Sequence, residues 1–526
     1  MRAKRSRLFA ILLLAGTTAL AAPDLPTYAV TDLKALGIWP VAMNNRGEVL
    51  GNNQLEIAGP LPVRSFLYSA GIVRELFPPT DSPNFTWPRI LSDGGHAVLA
   101  SNTGRIWLYD GTTYRELSPP PPESANDSLG GWSVHSVNTS GQVAGSVVWY
   151  KQPPQQFETA VAWAWVDDHG TLRNLRPDGE QGCRPVSEDA INAHGDVALQ
   201  CDHAVGVMYR DGTWRRIDDR NVWVSAFNDA ASVLVSGQSF DTPTYVFDDE
   251  QMRLIEPACP EGSLSCQAFG RDLNNYGEAV GGTYYLTTIG STTRSLDRAL
   301  VWRDGETTDV QPAGAFSSVL ESLNESGVAI GTYFAQDGGR PRPFVYASDT
   351  TVDISELRGV DAALDAALAK SNGVGVRIAN SGHILVVAYE LSYANPPNAV
   401  FRHGAYLLSP VAPTVSLSVD ASRVHVGRLV TLTWNSRDAN SCVGSGGVSG
   451  DGWAGTRATS GQVTVTSSTA TSVNYALRCS AGQMYGDATV AVTYTRKSGG
   501  GGRLDALVAL LLSFAGLGLG RRRKTA

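Results

Sequence analysis

The chain has 526 residues, too many for one hydrophobic core, which stops growing near ~250–300 residues, so at least two domains are expected. Hydrophobic residues at 43% and charged residues at only 17% exclude long disorder, and 55 Gly, 27 Pro and 8% aromatics suit short strands joined by turns rather than helices. The formal charge is −8; without the two basic ends, 33 basic face 49 acidic residues, a charge of −16 that repels nucleic-acid phosphates.

Residues 1–21 read as a secretory signal peptide: the basic MRAKRSR precedes an apolar run from Leu8 to Ala21. Ala19-Leu20-Ala21 fits the small-x-small pattern, so signal peptidase is expected to cut between Ala21 and Ala22. An uncleaved anchor is the alternative, although the run is short for a membrane span.

Between residues 27 and 410 one unit recurs eight times. VAMNNRGEVLGN (41–52) returns as HSVNTSGQVAGS, DAINAHGDVAL, RDLNNYGEAVGG and ESLNESGVAIGT. RIANSGHILVV (377–387) is a shortened form, and RILSDGGHAVLA (89–100) and SAFNDAASVLVS (225–236) are degenerate. The anchors are read as Asn44, Ser92, Asn138, Asn192, Asn228, Asn274, Asn324 and Asn380, spaced by 48, 46, 54, 36, 46, 50 and 56 residues. Asn bonds its own backbone in a turn and Gly supplies positive φ, so this motif predicts a hairpin. A second hairpin motif follows each first one, as in SFLYSAGIVREL (65–76), RIWLYDGTTYREL (105–117) and ALVWRDGETTDV (299–310). Four strands a to d every ~40–50 residues predict a β-propeller blade. AYLLSP (405–410) resembles a c strand with no d strand after it, and YAVTDL (28–33) resembles a d strand, so the N-terminal strand is expected to complete the last blade. The expectation is eight blades, with seven as the alternative.

The N-x-x-G hairpin, the following Ser65-Phe66-Leu67-Tyr68 type of strand and the opening YAVTDLKALG resemble the bacterial extracellular HAF repeat family. The name-giving triplet is intact in no copy; Ser65-Phe66-Leu67 and His403-Gly404-Ala405-Tyr406 come nearest. The resemblance implies an exported repeat protein and supplies no chemistry.

The a–b and c–d turns are short and uniform, whereas the b–c and d–a loops vary. Those loops share one face, the expected working face. Three residues before each anchor stand Val41, Arg89, His135, Asp189, Ser225, Arg271, Glu321 and Arg377. Arg89, His135, Asp189, Arg271, Glu321 and Arg377 read either as a polar ring binding a ligand at the channel mouth or as salt bridges between blades. Trp149, Tyr150, Tyr284, Tyr285, Tyr333, Phe334, Tyr389 and Tyr393 open b–c loops, where rings would stack on a glycan, anchor a protein partner or pack against neighbouring loops. No metalloprotease, P-loop, EF-hand or nucleophile-elbow motif occurs, and no cofactor or metal is expected. The leading expectation is a non-enzymatic binding or adhesion propeller. The alternative is a secreted hydrolase or lyase using Asp189, Asp272 and Glu321 in the channel.

In an exported chain six Cys predict disulfides, paired by proximity as Cys183–Cys201, Cys259–Cys266 and Cys442–Cys479. A helix is expected near Val360 to Lys370. From 413 to 496 Thr, Ser and Val dominate, and TVSLSV, LVTLTW, GQVTVTSS, VNYALRC and ATVAVTYT read as strands of a β-sandwich. This stretch resembles a bacterial immunoglobulin-like module, except that Cys442 follows Trp434 instead of preceding it.

The chain ends with a Gly-rich linker at 497–503, containing Gly499, Gly500, Gly501 and Gly502. An apolar segment at 504–520 and a basic tail at 521–526 follow. Seventeen helical residues span about 25 Å, marginally enough for a bilayer, with the tail held cytoplasmic. This combination resembles the GlyGly-CTERM sorting signal. It implies a rhombosortase-like intramembrane protease as a processing partner, transient membrane anchoring, and a cut beside Gly499–Gly502. A plain C-terminal anchor is the alternative.

Overall fold

The structure, a computed structural model, describes residues 25–497 apart from 55–61, 80–85, 123, 125–126, 152–158, 187–188, 220–221, 249–250 and 393–398. The signal segment, the tail from residue 498 onward and the predicted helix at 504–520 lie outside the described residues. Among the described residues no helix is long and apolar enough to cross a membrane. The chain divides into two compact units between Pro410 and Val411.

Among its described residues the first unit is all-β apart from one short helix and one turn of 3-10 helix. Its described residues form eight four-stranded antiparallel sheets, each with its strands in the order a, b, c, d. Sheet 1 starts with strand a at Trp39–Met43, sheet 2 at Thr86–Leu91, sheet 3 at Ser128–Val137 and sheet 4 at Arg184–Pro185. Sheets 5 to 8 start at Val222–Phe227, Ser265–Leu273, Ser317–Leu323 and Gly373–Ile378. In sheet 8 the fourth place is taken by Thr27–Asp32, hydrogen-bonded beside strand c at Ala399–Val411, so the N-terminal strand completes the last sheet.

Strand b explains why the sheets stand side by side. Val49–Asn52, Ala97–Ser101 and Val197–Gln200 are apolar runs, buried along most of their length, and do not alternate with polar residues. Both faces of such a strand are covered. Val49 packs with Leu385 and Leu407 of sheet 8, while its neighbour Leu50 packs with Leu99 of sheet 2. The same division recurs at every junction: one apolar cluster lies between each consecutive pair of sheets. The cluster of Leu33, Ile38, Trp39 and Met43 with Ala379, Leu385 and Leu407 joins sheet 8 back to sheet 1. A closed ring of sheets around a central channel is a β-propeller.

The helix Ala362–Leu368 lies in the connection from sheet 7 to sheet 8, within the predicted stretch. Asp361 caps it, accepting from the N–H groups of Ala363 and Leu364. All three disulfides pair as the spacing predicts. Cys183 and Cys201 flank strands a and b of sheet 4 at the loop end, and Cys266 lies within strand a of sheet 6, not in a loop.

The second unit contains a three-stranded sheet of Thr414–Val419, Val430–Arg437 and Ser460–Val465. Its five-stranded sheet orders Arg423–His425, Met484–Thr495, Ser472–Ala481, Ser441–Gly446 and Gly455–Arg457, with the first pair parallel. Trp434, Trp453 and Tyr475 meet edge-on in its core, with ring centroids 5.6 and 6.0 Å apart. Cys442 and Cys479 are direct cross-strand partners in one sheet. That is why Cys442 follows Trp434: the bridge joins neighbouring strands rather than two sheets.

Candidate functional site: the central channel

The a–b turns build one end of the channel. In sheet 1, Asn44 Oδ1 accepts from the N–H groups of Arg46 and Glu48, satisfying the turn, while its Nδ2 donates to Ser92 O of sheet 2 at 3.1 Å. Asn138, Asn228, Asn274 and Asn324 likewise donate to Asn192 O, Asn274 O, Asn324 O and Ala379 O of the next sheet. An amide accepts from its own turn with its oxygen while its nitrogen donates to a neighbour, so the turn chemistry of the repeat is also its lateral glue.

The next residue adds a second circle of bonds. Asn45 N donates to Asp93, Ala193 N to Asp229, Asp229 N to Asn275, Asn275 N to Glu325 and Glu325 N to Asn380. Asn380 N returns to Asn45 Oδ1 at 3.0 Å. This bond crosses the junction where the two ends of the first unit meet.

Sheet 8 corrects the reading of its repeat. Ala379 N bonds His383 O as Asn44 N bonds Glu48 O, so Ala379 is the anchor and Asn380 corresponds to Asn45. The reason is a missing bulge. Six sheets break register in strand a at Val41, Arg89, His135, Ser225, Arg271 or Glu321, the third residue before the anchor. Sheet 8 pairs without a break and is one residue shorter, so Arg377 matches Asp272 and not Arg271.

A cavity of about 140 Å³ lies at this turn end, lined by residues of all eight sheets. Of the six residues expected to ring the channel, Asp189 and Arg377 line it, approaching to 4.0 Å between sheets 4 and 8. Arg89, His135, Arg271 and Glu321 are not among its lining residues. Arg271 and Glu321 pair with each other at 3.6 Å between adjacent sheets, as the salt-bridge alternative expects. His135 Nε2 lies 2.8 Å from both Ser133 Oγ and Ser146 Oγ, and burial, aided by Arg184, pushes its pKa down.

Asp272 lines the cavity and was legible only as a carboxylate candidate. Its oxygens accept from the N–H groups of Leu273 at 2.9 Å and Leu323 at 2.8 Å. Burial nevertheless raises its pKa, Asp189 adds to the rise, and Arg377 opposes it. The three carboxylates of the enzymatic alternative therefore do not converge, because Glu321 stays outside the cavity. Asp93, Asp229 and Glu325 complete an acidic lining that also includes Arg377, and no sequence motif marked these positions.

At the loop end the aromatic expectation needs two corrections. Trp149 is buried between sheets 2 and 3, and Tyr285 is also buried, so neither stands on an exposed rim. Each points to the buried face of its strand, where the alternate residues, Val148 and Tyr150 in sheet 3 and Tyr284 and Leu286 in sheet 6, are only half-buried. Tyr150 is half-buried against Gly130, where a Cβ would meet its ring. Tyr284 is half-buried and packs against Phe240 at 5.7 Å. Five residues before the anchor, sheets 1, 2, 5 and 6 carry Trp39, Trp87, Trp223 and Phe269, a repeat the sequence held but the anchor motif masked. Trp39 is buried under the Arg402 guanidinium, whereas Trp223 is 53% exposed.

No family model matches the chain, and no curated protein matches it. Solved structures do. The β-propeller domain of the Trilobed protease from Pyrococcus furiosus is 11% identical, with a TM-score of 0.34 over 63% of this chain and 99% of that one. The WD40 domain of SCAP from fission yeast is 10% identical, with a TM-score of 0.34 over 73% of this chain and 98% of that one. An acylaminoacyl peptidase from Pyrococcus horikoshii is 12% identical, with a TM-score of 0.35 over 70% of this chain and 58% of that one. At such identities and scores the likenesses bring no activity to this chain; its fold rests on its own strand order.

Proposed function

We propose that the protein is an exported, non-enzymatic binding propeller of eight blades, followed by an immunoglobulin-like spacer. The observation that carries this reading is how the channel carboxylates are used. Asp272 is held by two backbone N–H groups, Asp189 faces Arg377, and Glu321 pairs with Arg271 outside the cavity. A glycosidase pair needs two carboxylates flanking one bond, about 5–10 Å apart and free to exchange protons. The sandwich order, with a short strand pairing in parallel to the last one, supports the immunoglobulin-like assignment. Three disulfides fit an oxidising compartment and support export. Signal peptidase, then a rhombosortase-like protease acting beside Gly499–Gly502, would deliver the protein through a membrane-anchored stage to the cell surface or medium.

The test uses the mature full chain in a glycan array and in pull-downs of envelope components, beside a hydrolase and lyase activity screen. Specific capture with no turnover is expected. Turnover abolished by Asp189→Asn or Asp272→Asn would replace this reading with the enzymatic one.

A further inference from the structure

The loop end of sheets 5 and 6 carries aromatic surface that packing does not use. Trp223 is 53% exposed and Phe240 48% exposed. Phe240 leans on Tyr284 with a 36° tilt, a geometry that fixes both rings and leaves ring surface open. Sheet 1 buries the counterpart of this indole, so the repeated packing does not call for its exposure.

The loop that bears Phe240 is rigid. Thr242 N donates to Ser239 O, and Ser239 N donates to Thr242 Oγ1 at 3.0 Å. Gln267 of sheet 6, the cross-strand partner of Tyr284, donates to Gly237 O at 2.9 Å. Gln238 donates to Val222 O at 3.4 Å, tying the loop to the residue before Trp223. The rings are therefore carried on a braced surface whose neighbouring side chains include the amides and hydroxyls of Gln238, Ser239, Thr242 and Gln267, together with the carboxylates of Asp241 and Asp297.

We infer that Trp223, Phe240 and Tyr284 form a binding platform for a neutral saccharide. The inference rests on the binding reading above and names its ligand class. Flat rings offer faces to the C–H side of a sugar, and amides and hydroxyls match its hydroxyl groups. Charge matches too: Asp241 beside Phe240, Asp297 across the strand from Tyr284 and a chain of net charge −8 all disfavour uronate, sulfate or phosphate polymers. A protein partner would call for a patch of about 800 Å² per side with a desolvated centre, whereas three rings among amides offer a narrow strip.

The experiment titrates the mature full chain with cellohexaose, maltohexaose and laminarihexaose, reading tryptophan fluorescence and heat. Hexagalacturonate serves as the charged comparison. At least one neutral hexamer is expected to bind and shift the indole emission. Trp223→Ala should weaken binding at least tenfold, Phe240→Ala several-fold, and Trp223→Phe should keep most of it, with unchanged melting temperatures. Equal affinity in Trp223→Ala, binding to hexagalacturonate alone, or no binding to any neutral hexamer would overturn the platform. The wider binding reading would still stand if an envelope component were captured specifically, so the two failures are separable.

Discussion

The two ends of the channel follow different rules. At the turn end the same atoms do the same work in sheet after sheet: an Asn Oδ1 closes its own turn and an Nδ2 reaches the next carbonyl. At the loop end, Trp39 is buried under Arg402 while Trp223, at the same repeat position, is exposed. Closing a ring of sheets demands one repeated geometry along its whole circle, and the turn end supplies it. The loop end carries no such demand, so its residues are free to differ and to serve a ligand.

The largest way to sharpen this contrast is to weaken the junction of sheets 8 and 1, where the two ends of the first unit meet. Trp39→Ala removes a buried indole from the junction of sheets 8 and 1 and strips Arg402 of its ring. A loss of about 3–5 kcal/mol is expected, the usual cost of truncating a buried aromatic, read as a lower thermal midpoint of the first unit. Trp223→Ala, at the same repeat position, should leave that midpoint within about 0.5 kcal/mol of the parent. Similar losses in the two variants would erase the contrast between the ends.

Next comes the lateral bond. Asn274→Ala leaves the N–H groups of Tyr276 and Glu278 without their side-chain acceptor and Asn324 O with only the bond from Gly327 N of its own turn. At about 1–3 kcal/mol for an unsatisfied buried group, partly relieved by water at the turn, a loss of about 2–3 kcal/mol is expected in urea unfolding. A loss under about 0.5 kcal/mol would mean that the amide is not the glue of the ring.

How much of this was legible follows the same division. The Asn and Gly of the first motif lie three residues apart at every good copy, so period, hairpins and closing strand could be read directly. The bulges could not: an inserted residue changes register without leaving a characteristic residue type, and the eighth copy was misaligned by one residue because it lacks that insertion. Trp149 and Tyr285 were misjudged for a related reason. Around them the chain reads Val-Val-Trp-Tyr and Thr-Tyr-Tyr-Leu, so buried and half-buried positions alternate without an alternation of apolar and polar residue types to mark them. Asp93, Asp229 and Glu325 were missed because convergence on a channel is a property of eight distant segments, not of any one of them.

A smaller effect tests the degenerate fifth copy. Its turn carries Ala231 at φ 62° where the good copies have Gly, as Gly47 does at φ 77°. The left-handed region costs an L-residue roughly 1–2 kcal/mol, against about 0.5–1 kcal/mol of added backbone entropy for Gly. Ala231→Gly should therefore stabilise the first unit by up to about 1 kcal/mol. A lower midpoint would show that the turn has adapted to alanine.

The smallest expected effect concerns the two sheets whose anchor is not Asn. Sheet 2 has Ser92 and sheet 8 has Ala379, and four residues on, both carry histidine: His96 and His383. In the next sheet along, Gly141 lies under His96 and Gly47 under His383; a Cβ on either would come within 2.8 Å of the ring. The imidazoles thus fill space against the neighbouring turn where the Asn amide is missing. Burial lowers the pKa of both, so each resists protonation in the fold more than in the unfolded chain. Above about pH 6.5 both states are neutral and the histidines cost nothing. As pH falls below that value the unfolded chain takes up protons first, and stability declines until the folded groups titrate as well. Sheet 3 shows a substitute: Gln142 stands at the matching position, and Gly195 of the next sheet faces its amide. A His96→Gln, His383→Gln double variant should match the parent at pH 7.5 and lose less stability than the parent between pH 7 and pH 5. Thermal melts across that range decide it, and identical acid slopes would place the titration of the ring elsewhere.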